Sequence, residues 1–234
     1  MNDKKILCVI PARGGSKGIP YKNIKELNGK PLITYTIDVA RQIFNDEDIC
    51  VTTDDQQVIN IVENYGLRLP FIRPANLATD QAETQDVLKH ALDFYEKNSR
   101  FYNIILLLQP TSPFRLKHHL EEAINLYTDN CDMVVSVKKS SANPYYNLFE
   151  EDNLGYLQII KGDGKFTRRQ DAPTVWEYNG SIYVINCESL KKHTIHEFLH
   201  KIKYPMPDAY SIDIDTPLDW IVAEELLKKY LADL

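Results

Sequence analysis

Arg13, Lys17 and Lys22 follow the apolar run KILCVI in the stretch IPARGGSKGIPYKN, interleaved with Gly14, Gly15 and Gly18. Glycines let backbone amides approach an anion closely, while guanidinium and ammonium groups neutralise it. Together they suit a bound polyphosphate, with a triphosphate as the natural candidate. Near the other end of the chain, Asp213 and Asp215 stand in SIDIDTP. Read as a strand, that segment puts both carboxylates on one face and Ile212 and Ile214 on the other. Two like charges so placed call for a cation, and hard oxygen donors favour Mg²⁺, which shares phosphate oxygens. Familiar phosphate loops do not fit. Ser16 precedes Lys17 where a Walker loop has it follow, and the adjacent Gly14 and Gly15 break the dinucleotide pattern.

Groups so far apart in the sequence need a scaffold that joins them. Apolar, β-rich runs (KILCVI, DICVTT, YNIILLLQ, DMVVSV, GSIYVIN) alternate with amphipathic patterns such as PLITYTIDVARQIF, DDQQVINIVENYG and ETQDVLKHALDFYEKN. This alternation predicts an α/β fold with a doubly wound, mostly parallel sheet, whose ligands sit outside the carboxyl ends of the strands. Residues 140–180 break the rhythm with turn signals at DNLG and GDG and many aromatics, and are read as an inserted antiparallel arm. Such an arm serves either as a partner surface or as a lid on its own sheet. The 234 residues, 44% of them hydrophobic, suit one domain over 1–234. The net charge of −6 argues against a nucleic-acid or membrane surface and makes the local cationic loop more informative. Cys8, Cys50, Cys131 and Cys187 form no C-x-x-C pair and read as reduced thiols of a cytoplasmic protein, with no signal peptide or membrane span.

The stretch IPARGGSKGIPYKNI resembles the signature of the CMP-N-acetylneuraminate synthetases (acylneuraminate cytidylyltransferases), within a nucleotidyltransferase, Rossmann-like fold. The resemblance continues in order through VTTDD, RPANLATD, LLQPTSPFR, RRQDAP, NGSIY and IDIDTPLD. Relatives that activate the eight-carbon acid KDO typically have a different loop after PAR. The resemblance implies transfer of CMP from CTP to the anomeric hydroxyl of a nine-carbon 2-keto sugar acid, N-acetylneuraminic acid first, with release of pyrophosphate. It implies Mg²⁺, and a homodimer whose arms reach over the neighbouring subunit.

Residue by residue, the resemblance gives Arg13, Lys17 and Asp215 catalytic roles. It places Ala12, Arg13, Lys17, Lys22, Asn23, Arg73, Ala82 and Thr84 at the nucleotide, and Gln109, Arg169 and Asn179 at the sugar acid. Asp213 and Asp215 become the metal ligands. Bland readings stand beside these roles. Lys22 and Asn23 fit ordinary turn chemistry, and Thr84 fits a helix cap. Arg169 fits a surface cation, and Asn179 a turn shaped with Gly180. Thr216, Pro217 and Asp219 read as a capping box, which leaves Asp213 unexplained. Ser112 and Pro113 read as another helix start, with Thr111 and Arg115 structural. His118 and His119 read as exposed helix residues, and Asp54 and Asp55 as caps. Glu177 stands where some relatives carry a basic residue, which puts the sugar pocket's details in question. The rival acceptors are legionaminic and pseudaminic acids. A non-catalytic nucleotide-binding scaffold would be expected to have lost Arg13, Lys17 or the aspartate pair, and all are present. No second domain such as an esterase is expected.

Overall fold

A computed structural model describes residues 4–16 and 18–230. Strand β1 (Ile6–Pro11) buries its centre on both faces, with Cys8 and Ile10 turned to one side of the sheet and Leu7 and Val9 to the other. This is the pattern of a central parallel strand covered by helices on both sides. A hairpin of β2 (Glu26–Leu27) and β3 (Lys30–Pro31) turns through Asn28 and Gly29, both at positive φ. Helix α1 (Leu32–Arg41), β4 (Ile49–Thr52), α2 (Gln56–Asn64), α3 (Thr84–Lys97), β5 (Ile104–Leu108), α4 (Lys117–Asn125) and β6 (Met133–Lys139) then follow. After the short pair β7 (Phe149–Glu151) and β8 (Leu157–Ile159) come β9 (Trp176–Asn186), α5 (Cys187–Lys192), β10 (Lys201–Pro205) and α6 (Pro217–Tyr230).

The main sheet runs β10-β6-β9-β5-β1-β4. β1 pairs parallel with β4 and β5, and β10 with β6, while β9 is antiparallel to both of its neighbours. One face packs against Ile33, Ile37, Val58, Val62 and Leu120 of α1, α2 and α4. The other packs against Leu88, Leu92 and Tyr95 of α3 and Leu190 of α5. Each fully buried Leu or Ile contributes about 1.5–3 kcal/mol. A third cluster, with Ile19, Leu27, Phe114, Ile214 and Trp220, seats α6 against the loops that carry the cations and the aspartates. The chain order reverses between β1 and β5, and a crevice at their carboxyl ends follows from that topology.

Several local expectations change. SIDID is not a strand: residues 211–215 carry no ladder, and the last sheet strand is instead β10, which the sequence reading passed over. Ile212 and Ile214 still turn into the third cluster, so hydrophobic anchoring sets the alternation there without strand pairing. Residues 176–180 belong to β9, where Trp176, Glu177 and Tyr178 pair with β6, so the excursion ends before the sequence boundary at 180. Ser112 and Pro113 lie in a turn; α4 begins at Lys117, where the backbone N–H of Leu116 donates to His119 Nδ1 at 3.1 Å. His119 is therefore buried, not exposed, and packs edge-on to Tyr210 at 4.8 Å between ring centres. Asp55 does cap α2, accepting from Gln57 N at 2.7 Å, but Asp54 instead accepts from Gly14 N at 3.0 Å.

Candidate active site

At the carboxyl ends of β1 and β5 opens a cavity of about 560 Å³. Arg13, Lys22 and Asn23 enter it from the first loop, Arg73 and Thr84 from the segment after β4, and Gln109 from the end of β5. Asp213 and Asp215 close its far side, and Ala82 adds to the wall. The fold thus gathers on one surface most of the residues the sequence singled out. Lys17 lies outside the described residues.

The first loop is pinned at successive points. Ala12 is buried and faces away from the cavity, its N–H donating to Thr52 O at 3.0 Å. Asn23 is also nearly buried and donates Nδ2–H to Arg13 O at 3.1 Å. With Gly14 held by Asp54, the backbone on either side of Arg13 has little freedom. Arg73 is 4% exposed, donates Nε–H to Thr52 Oγ1 at 3.1 Å and reaches Thr52 O with a terminal nitrogen. Burial lowers its pKa to about 10, partly offset by Asp54, so it remains a cation at neutral pH. Thr84 is the first residue of α3, not its cap, which leaves its hydroxyl on the exposed rim of the cavity.

Lys22 is 8% exposed, and its Nζ donates to Ile214 O at 2.6 Å and to Asp215 Oδ1 at 2.8 Å. A buried ammonium needs partners of this kind. The contact ties the cationic loop directly to the aspartate segment. Asp213 lies deeper. Its Oδ1 is buried without a hydrogen-bond partner among the described residues; burial raises its pKa, Thr111 opposes that rise, the repulsion of Asp215 adds to it, and Lys22 and Arg115 offset part of it. Gly180 at φ +73° passes directly beneath it: a Cβ there would lie 2.6 Å from Asp213 Oδ2. Below both sits Arg115, fully buried, with its Nε–H on Ser181 Oγ and a terminal nitrogen on the carbonyls of Gln109 and Ser112. Arg115 thus shapes the floor, in keeping with the structural reading. The capping box is also present, with Thr216 N donating to Asp219 Oδ2 at 2.7 Å.

An orphaned buried carboxylate oxygen beside a second, exposed carboxylate fits a Mg²⁺ ion completed by phosphate oxygens and water. No third His, Cys, Asp or Glu joins them in a metal-holding group among the described residues. The donor set therefore suits an ion shared with substrate, not one held by the protein alone.

Two of the residues expected at the sugar acid are placed elsewhere. Asn179 is 2% exposed and faces the interior, its amide donating to Ser211 Oγ at 2.9 Å and its Oδ1 accepting from Ser136 Oγ and Ser181 N. Arg169 sits on the arm, bonded to Ser140 O at 3.2 Å, and does not line the cavity. Gln109 does line it and neighbours Tyr183, a residue the sequence reading passed over because in GSIYVIN it looks like any buried strand aromatic. Leu77, Thr79 and Asp80 also line the cavity and were missed, although they lie inside the quoted RPANLATD.

The cytidylyltransferase family model matches residues 7–233. A CMP-N,N'-diacetyllegionaminic acid synthase of Legionella pneumophila is 34% identical over 96% of this chain and 97% of its own length. An N-acylneuraminate cytidylyltransferase of Streptococcus agalactiae serotype V is 37% identical over 93% of this chain, which spans about half (52%) of that longer protein. A pseudaminic acid cytidylyltransferase of Campylobacter jejuni is 30% identical over 96% of this chain and 97% of its own length. Among solved structures, CMP:2-keto-3-deoxy-manno-octonic acid synthetase complexed with CTP shares the fold at a TM-score of 0.68 with 19% identity, covering 96% of this chain and 99% of that one. The chain belongs to the cytidylyltransferase family.

Proposed function

We propose that the chain transfers the cytidylyl group of CTP to the anomeric hydroxyl of a nine-carbon 2-keto sugar acid, releasing pyrophosphate. The observation that carries this reading is the single cavity that brings Arg13, Lys22 and Arg73 opposite Asp213 and Asp215. In-line displacement at a phosphorus depends on positioning and on neutralising charge at the phosphate oxygens. Arg13 and Lys22 bind and neutralise the triphosphate, with Lys17 beside them in the sequence. Arg73 adds a fixed, desolvated cation at the nucleotide wall. Ala82 and Thr84, at the rim, read the cytosine edge through backbone groups and a hydroxyl. Gln109, beside Tyr183, orients the acid at the end of β5. Asp213 and Asp215 would hold Mg²⁺, which supplies Lewis-acid charge on the phosphate when bound. Asn179 acts from below by fixing the turn that carries Gly180.

N-acetylneuraminic acid is the acceptor we put first, supported by the identities of 37–38% to N-acylneuraminate cytidylyltransferases. A second reading, a legionaminic acid, is favoured by the end-to-end match to the Legionella synthase. The arm exposes Phe149, Leu154, Tyr156 and Leu157, which supports its pairing with a second copy of the chain and the delivery of Arg169 to that copy's cavity. All four cysteines are free and buried, and among the described residues no helix is long and apolar enough to cross a membrane; the first of these supports a cytoplasmic setting.

The test is pyrophosphate release with CTP, Mg²⁺ and a panel of N-acetylneuraminic, legionaminic and pseudaminic acids, with KDO as outgroup. Release with one nine-carbon acid supports the reading and names the acceptor. Silence with all of them, in a protein that still binds CTP, refutes it.

A further inference from the structure

Arg13 lines the cavity from a glycine loop, and 36% of its side chain is exposed. A guanidinium so placed loses its aim unless something holds it. The backbone is held by Asn23 and Asp54, as described above. The side chain meets Asp80, whose Oδ1 lies 2.8 Å from Arg13 Nη2. Asp80 comes from the connection between α2 and α3, the same segment that brings Thr79 and Ala82 to the cavity. The pair therefore spans two separate loops at the mouth. Both residues also line an open trough on the other side, formed with Gly14, Gly15 and Asp55. They form part of the wall between cavity and trough.

We propose that Asp80 is a positioning residue for the reaction: its carboxylate holds the Arg13 guanidinium across the mouth of the cavity, where the triphosphate binds. This rests on the reading of the cavity as a CTP site. The contact uses one terminal nitrogen of Arg13. A guanidinium presents five N–H donors in a fixed fork, so one carboxylate contact leaves donors for phosphate oxygens. As an exposed pair it adds little to stability, which separates its effect on geometry from any effect on folding. The same contact ties the 75–83 segment to the first loop, so the wall that carries Ala82 and leads into Thr84 is set by it as well.

The experiment compares Asp80→Asn, Asp80→Glu and Asp80→Ala with wild type, alone and in an Arg13→Ala background. It reads kcat, KM for CTP and the melting temperature. Turnover of the wild type tests the CTP reading; the ratio of variant to wild type tests Asp80. Asp80→Asn and Asp80→Ala are expected to melt within a few degrees of wild type and to lose about tenfold in kcat, with a smaller change in KM for CTP. Asp80→Glu is expected to recover a substantial part, because it restores the anion. In the Arg13→Ala background the loss from Asp80→Asn is expected to shrink to less than half its logarithmic size. The proposal is overturned if Asp80→Asn keeps kcat within twofold of wild type. It is equally overturned by an undiminished loss without the Arg13 guanidinium, or by tighter CTP binding in Asp80→Asn, which would make Asp80 a competitor of the phosphate.

Discussion

Replacing Gly180 by alanine tests the aspartate site with a single methyl group. The backbone at Gly180 has φ +73°, where an L side chain costs roughly 1–2 kcal/mol. The new Cβ would lie 2.6 Å from Asp213 Oδ2, 3.2 Å from Asp213 Cγ and 3.3 Å from Ser112 Oγ. Carbon–oxygen contacts settle at about 3.3–3.6 Å, so the carboxylate must withdraw by roughly 0.7–1 Å. Asp213 cannot easily retreat, since its backbone sits beside Ile214, which is buried in the third cluster and donates its N–H to Thr111 O at 2.8 Å. A misplacement near 1 Å costs up to about 10²-fold in rate. Gly180→Ala is therefore expected to lower turnover by about 10- to 100-fold and stability by about 2–5 kcal/mol, the sum of backbone strain and overpacking. Gly29→Ala is the control. Its φ is +78° and nothing lies within 4 Å of its added Cβ, so it carries the strain without the wedge. Pyrophosphate release at saturating CTP and Mg²⁺, with urea denaturation of both variants, makes the comparison. Gly180→Ala with turnover within threefold of wild type, or Gly29→Ala with an equal loss, would refute the placement of Asp213 in the reaction centre.

Two further outcomes are expected. His119 is 3% exposed and accepts from Leu116 N through Nδ1, beside His118, Glu122, Tyr204 and Tyr210. Burial lowers its pKa from 6.5 to about 4, so the unfolded chain takes up the proton first as pH falls. Stability present above pH 6.5 is lost towards pH 4, by about 3 kcal/mol, and His119→Gln should flatten urea-denaturation midpoints across that range; parallel pH profiles would show that His119 does not titrate this way. Mixed dimers of Arg169→Ala and Asp215→Asn subunits should regain part of the activity that each parent lacks, if the arm serves the neighbouring cavity. Verified mixed dimers without recovery would place Arg169 outside it.

The sequence determined the alternation of strands and helices, because a strand buried on both faces has to be continuously apolar and a surface helix has to be striped. It also determined the chemistry on offer. Cations among glycines in an acidic chain, and two aspartates flanking an isoleucine, announce themselves by type. The segment at 211–215 shows the limit. Its alternation looked like a strand, but the same pattern arises when two isoleucines are anchored in a core and the aspartates beside them face a cavity. Residues 201–205 alternate charge and apolar groups on a sheet edge and gave too weak a signal beside it.

Tertiary structure alone decided which polar groups are used up inside the fold. Asn179 and Asn23 are the same residue type in equally suggestive motifs. One is enclosed by Ser136, Ser181 and Ser211, the other fixes the Arg13 carbonyl at the cavity. Lys22 bonding the segment of Ile214 and Asp215, Arg73 reaching the end of β4 at Thr52, and Arg13 meeting Asp80 are contacts between segments separated along the chain. They arise because parallel strands deliver their following loops to one edge of the sheet. No local pattern of residues records that convergence.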